Sequence, residues 1–234
     1  MERGRVTAGE ADRNGLPAGS QYARYMRTDE LLGLQPEEDG DELLFVSTHQ
    51  ATELLLRAAA AATVDAAQRV QAGEVSAAEV LLRRACETVR AATGLLPVLS
   101  QLSPLAFGRL RPRLGNGSGA ESPGWRGLRG AGRGLQTAFE QRRGALEVSL
   151  VQLYRGRTHR PLYRLAEAMV DLDEAVRVWR LQHFVLAQRV VGGAAVGTQG
   201  MPVDALGKLI SQRMFPALWS VRDDLSVVGG ELVS

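Results

Sequence analysis

The chain has 234 residues, enough for one sizeable hydrophobic core, and nothing in its composition requires a second domain. Its 28 basic and 26 acidic residues nearly balance, which argues against a surface dedicated to nucleic acid. The single cysteine excludes an internal disulfide and favours a cytoplasmic location. No apolar run approaches the roughly 18 residues of a membrane span, and the first twenty residues lack the apolar core of a signal peptide.

Residues 1–20 hold few large apolar groups, which predicts a flexible lead before one folded domain over residues 21–234. The longest helical patterns cover 42–71, 76–96 and 161–191, and alternating β-branched runs are absent. We therefore predict an all-α fold, a bundle of helices. Two boundary signals accompany these patterns: the spacing of Ser76 and Glu79 predicts a capping box, and Gly192-Gly193 predicts a helix end.

The first long helix carries a histidine on its apolar side. Phe45, His49, Thr52 and Leu56 share one helical face, and two carboxylates, Asp41 and Glu42, stand where a helix N-terminus favours them. This spacing predicts that His49 lies on a buried face.

The stretch from Arg111 to Gly134 is unusual because it contains eight glycines and five arginines around one tryptophan, Trp125. One interpretation is a mobile surface loop with solvated arginines. The other is a ligand-binding loop, in which glycine allows the backbone close to a ligand and arginine holds a carboxylate with two hydrogen bonds.

The last long helix contains the most informative residue, His183, in the middle of an apolar stripe. The stripe has the alternating steps of four and three that define one helical face: Leu165, Met169, Leu172, Val176, Trp179, His183, Leu186 and Val190. A buried, unpaired imidazole is costly, so His183 is either a core residue hydrogen-bonded to a neighbour or a metal ligand.

The remaining ligand types are too few for a zinc site. Besides His49 and His183, the chain has one cysteine, Cys86, and a third histidine, His159, just before the last long helix. No cluster of three or four ligands is visible in the sequence. A cofactor that needs one protein ligand, as haem does, fits this inventory better than a bare metal ion.

Four segments of the chain, taken in order, carry a resemblance to a known family. They are Tyr22 to Leu32, Asp41 to Leu54, Ser118 to Arg126, and a discontinuous segment through Leu172, Trp179-Arg180, His183, Gly197-Thr198 and Trp219. In this order they resemble the tryptophan 2,3-dioxygenase family, all-helical haem enzymes that open the indole ring with dioxygen. The resemblance covers residues 22 to about 222 and implies a helical bundle that encloses a haem pocket.

The resemblance implies a role for each matching residue. His183 would be the proximal ligand of the iron of haem b, and Trp125 would contact the cofactor. His49 would be the distal, catalytic histidine. The substrate pocket would be formed by Tyr22, Tyr25, Phe45 and His49, together with Arg126 at the substrate carboxylate and Thr198 at its ammonium and carboxylate end.

The resemblance also implies an activity and an assembly. The reaction would insert dioxygen across indole C2–C3 of L-tryptophan, or of a related indole or aromatic amino acid, in tryptophan catabolism. In this family the N-terminal segment is lent to a neighbouring subunit, which implies a homo-oligomer, a dimer or tetramer.

The departures from the family pattern fall on the substrate side. They are Ala120, Pro123-Gly124-Trp125, Gly127-Leu128-Arg129 and Gln199-Gly200-Met201-Pro202. Three alternatives therefore stay open: a haem monooxygenase of an aromatic amino acid or tryptophan derivative, a haem-binding protein without turnover, and a helical interaction protein with structural histidines.

Overall fold

A computed structural model describes residues 20–36, 39–115, 119–192 and 203–230 of the chain. These residues form helices and no β-strand, so the all-α prediction is confirmed. The predicted flexible lead lies outside the described residues except for Ser20, which caps the first helix. Besides three short 3-10 helices, the α-helices are α1 (Gln21–Met26), α2 (Thr28–Gly33), α3 (Gly40–Gln71), α4 (Val75–Gly94), α5 (Leu96–Leu99), α6 (Pro104–Leu110), α7 (Pro123–Ala145), α8 (Leu150–Arg155), α9 (Arg160–Val191), α10 (Gly207–Ile210) and α11 (Pro216–Gly230).

Four long helices make the core. α3 packs along both α4 and α7, and α4 packs along α9. Three of them match the predicted helices 42–71, 76–96 and 161–191 closely, although α4 ends at Gly94 and Leu96 already begins α5. One continuous apolar core joins the four helices, and its largest fully buried side chains include Leu56, Leu82, Leu128, Leu135, Phe139, Leu165, Met169 and Leu172.

The start of α3 follows from its sequence. The Asp39 carboxylate accepts hydrogen bonds from the backbone N–H groups of Asp41 and Glu42, at 2.8 and 3.4 Å, and so caps the helix. Further along, the small side chains of Ala59, Ala62 and Ala66 are buried and allow neighbouring helices to approach α3 closely.

The predicted capping box at the start of α4 is wrong. Ser76 lies inside the first turn, and the N-cap is Glu74, which makes no capping hydrogen bond with its side chain. Gly73 makes the preceding turn, because its φ of +83° favours glycine. Glu79 is nearly buried and instead pairs with two arginines, Arg83 of α4 and Arg164 of α9. Tertiary ion pairing therefore explains this glutamate.

The interpretation of the glycine-rich stretch as a loop is also wrong for most of its length. Residues 123–134 are the first half of α7, and Arg111–Leu114 is a 3-10 helix. Packing explains two of the helical glycines. A Cβ on Gly124 would lie 2.7 Å from the Cβ of Leu56, and one on Gly132 would lie 2.4 Å from the Cε of Met214.

A fully buried carboxylate connects α9 to the C-terminal region. Oδ2 of Asp173 accepts hydrogen bonds from the backbone N–H groups of Met214 and Phe215 and from the indole N–H of Trp219, at 2.9, 3.2 and 2.9 Å. These bonds fix the start of α11 against the helix that carries His183.

No single helix in the described ranges is long and apolar enough to cross a membrane. The segments Val75–Leu99 and Pro104–Leu114 pass by length and composition only when combined, and the pair is bent by 105°.

Candidate functional site

The candidate site lies where the start of α3 and the end of α9 pack against one shared apolar cluster. A second, smaller apolar cluster forms its wall: Leu99, Leu102, Ala106 and Val190 are buried, and Leu44, Phe45, Phe107, Leu186 and Val191 pack against them. The N-terminus of α7 completes the site, because Trp125 contacts Trp179 of α9 with ring centroids 4.4 Å apart.

His183 lies in a partly exposed part of its stripe, which is buried before it and again at Val190. Leu165, Met169, Leu172 and Val176 are buried, whereas Trp179 and His183 are half-buried. The His183 and Trp179 rings are stacked, with centroids 4.7 Å apart and planes 9° apart. Burial lowers the pKa of His183 to about 4, so its imidazole is neutral at pH 7. Neutral imidazole is the form that binds a metal.

Two polar groups in this stripe have no hydrogen-bond partner in the described part of the chain. Neither ring nitrogen of His183 bonds to any residue in the described ranges, and the buried indole N–H of Trp179 has no partner there either. A core histidine satisfied by a neighbour would have such a bond. The described part of the chain therefore does not support that interpretation of His183.

His49 differs from the prediction, because it is exposed in the single chain rather than on a buried face. Its ring packs against Phe45, with centroids 4.1 Å apart. Nδ1 lies 2.7 Å from the Phe45 carbonyl oxygen, and since a carbonyl only accepts, Nδ1 carries the proton. Neighbouring residues partly desolvate the ring, which lowers the pKa of His49. The hydrogen bond to the Phe45 carbonyl and the negative charge of Glu53 act in the opposite direction and raise it. The neutral ring then leaves Nε2 as an acceptor.

The two histidines influence each other electrostatically across the site. A positive charge on His49 further lowers the pKa of His183, as a second contribution after burial. The two residues are 134 positions apart in the sequence, so this electrostatic effect depends on the fold.

Arg126 follows Trp125 in the first turn of α7. Its side chain is exposed, and within the described ranges its guanidinium makes no ion pair or side-chain hydrogen bond. Trp125 in turn contacts Trp179, which stacks on His183. Through Trp125, its neighbour in the chain, Arg126 is therefore linked to His183 by a series of ring contacts.

Glu53 lies in the segment that resembles the family, but no pattern in the sequence predicts a role for it. Its carboxylate accepts a hydrogen bond from the Ser122 hydroxyl and one from the Gly124 N–H, the latter at 2.7 Å. Both partners are about 70 residues away, so no local spacing indicates this contact.

The two tyrosines of the N-terminal segment do not pack against the site in the single chain. Tyr22 of α1 is 63% exposed and Tyr25 is 86% exposed. The end of this segment is nevertheless attached to α3, because the Gln35 amide donates to Gln50 Oε1 at 2.6 Å and accepts from Ser47 Oγ at 3.1 Å.

Thr198 lies outside the described residues. The chain that follows is held to α9 by two arginines, Arg180 one turn and Arg177 nearly two turns before His183. Arg177 donates to the Ile210 carbonyl at 3.2 Å, and Arg180 donates to the carbonyls of Leu209 and Gln212 at 3.2 and 2.7 Å. The returning segment is thus fixed beside the site.

Among the residues that the structure describes, no group of three or more histidine, cysteine or carboxylate side chains is arranged to hold a metal ion. A cofactor with one protein ligand is compatible with this donor set, and His183 is its best-placed donor.

Comparison with known proteins agrees with the all-α fold and the resemblance. The chain is 30% identical over 260 aligned residues to the tryptophan 2,3-dioxygenase of Caulobacter vibrioides, covering 87% of this chain and 98% of that protein. It is 27% identical to tryptophan 2,3-dioxygenase 1 of Ralstonia nicotianae, with 87% of both chains covered. No profile of a known protein family matches it. The chain belongs to the tryptophan 2,3-dioxygenase family.

Proposed function

We propose that this protein is a haem-dependent oxygenase that inserts dioxygen across indole C2–C3 of L-tryptophan or a related indole amino acid. One observation carries the proposal: His183 presents a neutral imidazole, without a hydrogen-bond partner among the described residues, and stacked on the Trp179 ring. The names of the relatives supply the reaction class.

The residues around His183 fit a haem. Its neutral imidazole would ligate the iron, and the Trp179 ring stacked on it would limit its rotation. Trp125 and Phe45 would supply apolar walls. When bound, haem iron supplies the centre at which dioxygen is activated.

On the substrate side, His49 would bind the ring of the substrate and Arg126 its carboxylate. The bare Nε2 of neutral His49 is suited to accept a hydrogen bond from an indole N–H, because Nδ1 is held by the Phe45 carbonyl. The exposed guanidinium of Arg126 is suited to bind a carboxylate with two hydrogen bonds. Thr198 would bind the amino-acid end. Together these contacts would orient the substrate, which supplies proximity rather than acid–base power.

A second copy of the chain would complete the pocket. Tyr22 and Tyr25 are large aromatic residues with mostly exposed rings in the single chain, which supports packing of this segment on another subunit. The predicted dimer or tetramer with exchanged N-terminal segments is therefore part of the proposal.

The test is expression with haem supplied, followed by anaerobic reduction, addition of candidate substrates and mass analysis under isotopically labelled dioxygen. We expect a Soret band and a product carrying two labelled atoms. One labelled atom would instead identify a monooxygenase. A haem protein without product would be a carrier or sensor, and a colourless protein would refute the haem assignment.

A further inference from the structure

A hydrogen-bonded cluster of three residues, Glu53, Ser122 and Gly124, joins α3 to the N-terminus of α7. Oε1 of Glu53 accepts from the Ser122 hydroxyl, and Oε2 accepts from the Gly124 N–H at 2.7 Å. None of the ion pairs in the described ranges includes this carboxylate. The position is favourable, because the N-terminus of a 23-residue helix attracts negative charge.

Ser122 transmits this contact to the backbone that carries Arg126. Its side-chain oxygen caps α7 by accepting from the Trp125 N–H at 3.1 Å. Its carbonyl oxygen accepts from the N–H of Arg126, also at 3.1 Å. A single residue therefore bonds both to Glu53 and to the first turn in which Arg126 lies.

The close approach depends on the glycine at position 124. A Cβ there would lie 2.7 Å from the Cβ of Leu56 and 2.8 Å from Oε2 of Glu53. The carboxylate thus contacts the backbone of α7 directly, and the contact fixes where α7 starts relative to α3.

We propose that Glu53 is a positioning residue for substrate recognition, acting through Arg126. Glu53 lies one helical turn after His49, so the same rigid helix carries both the distal histidine and the contact that holds the start of α7. Glu53 sets the distance between His49 and the Arg126 guanidinium, which selects a substrate with a carboxylate at a fixed separation from its ring. This inference rests on the proposed function.

The test is a double-mutant cycle on the haem-loaded protein, read by equilibrium titration with L-tryptophan and with tryptamine, which lacks the carboxylate. Glu53→Ala should weaken L-tryptophan binding about tenfold, the equivalent of one lost hydrogen bond, and leave haem content and tryptamine binding unchanged. Glu53→Ala combined with Arg126→Ala should bind no more weakly than Arg126→Ala alone. Glu53→Gln, which keeps one acceptor oxygen, should retain part of the affinity.

Glu87→Ala is the matched control, because it removes an exposed α4 carboxylate whose ion pair in the described ranges is with Arg90. Ser122→Ala provides a second cycle with Arg126→Ala if Glu53→Ala does not fold. Additive losses, or equal weakening of tryptamine, would overturn the positioning role while leaving the proposed function intact. A wild-type protein that binds haem but not L-tryptophan would overturn both.

Discussion

The imidazole of His183 lies parallel to the indole of Trp179, one turn earlier in α9, with ring planes 9° apart and centroids 4.7 Å apart. Stacking of this kind restricts the rotation of the imidazole about its side-chain bonds. The orientation of His183 is therefore set within its own helix before any ligand binds.

The first prediction concerns this histidine. His183→Ala should abolish stoichiometric haem binding and leave helical content unchanged, because the remainder of the α9 stripe keeps its apolar packing. Haem content and far-UV circular dichroism measure the two effects. His159→Ala is the control, since His159 lies at the opposite end of α9. A full haem complement in His183→Ala would indicate another ligand.

The second prediction separates the two histidines. His49→Ala should retain haem and lower turnover or shorten the lifetime of the oxygen complex, because it removes a hydrogen-bond acceptor beside the bound substrate. Stopped-flow mixing of the reduced protein with dioxygen and substrate measures the change. Loss of haem in His49→Ala together with retention in His183→Ala would reverse the two assignments.

Much of the helical core could be predicted because it depends on local spacing. The steps of three and four around His183 and His49 determine which residues share a face, and α3, α4 and α9 follow those patterns. The capping box at Ser76 failed because the turn at Gly73 places the N-cap two residues earlier, at Glu74.

The errors at the site arise from tertiary contacts. The glycines of α7 indicated a loop, yet Gly124 is helical because the helix packs directly on Leu56. His49 is exposed in the single chain. The prediction of a buried face failed because apolar spacing does not show whether another element covers that face of α3. Glu53 was missed since its partners are about 70 residues away. Helical periodicity contains none of this information.

The third prediction compares two glycines of α7. Gly124→Ala should lower the free energy of unfolding by about 1–3 kcal/mol, because the new methyl group would overlap the Leu56 Cβ. Gly134→Ala should raise it by up to about 1 kcal/mol, since Gly134 is exposed, has open space around it, and alanine favours helix. Chemical denaturation of both variants measures whether their free energies of unfolding change in opposite directions. Equal stabilisation would contradict the close packing at Gly124.

The fourth prediction is a pH dependence of the haem-free protein. The pKa of His183 is about 4 in the folded chain, against an ordinary value of 6.5, so the unfolded chain binds this proton more tightly. Stability should therefore decrease as the pH falls from 6.5 toward 4. His183→Gln should show a smaller decrease over this window in denaturant titrations at each pH. Identical pH dependence in both proteins would show that His183 is not desolvated.

The last prediction concerns the class of substrate. The Arg126 guanidinium is exposed and has no ion pair within the described ranges, so it is available for a ligand carboxylate. Removing it should cost about 2–4 kcal/mol of binding, because the bound carboxylate loses a charge-assisted pair. Arg126→Ala should therefore raise the dissociation constant for L-tryptophan about a hundredfold, with haem content unchanged.

Arg57→Ala is a suitable control, since Arg57 is an exposed arginine on α3, one turn beyond Glu53. Equal affinity of the wild-type protein for L-tryptophan and tryptamine would show that Arg126 does not bind the carboxylate, and that the site does not recognise the amino-acid end of its ligand.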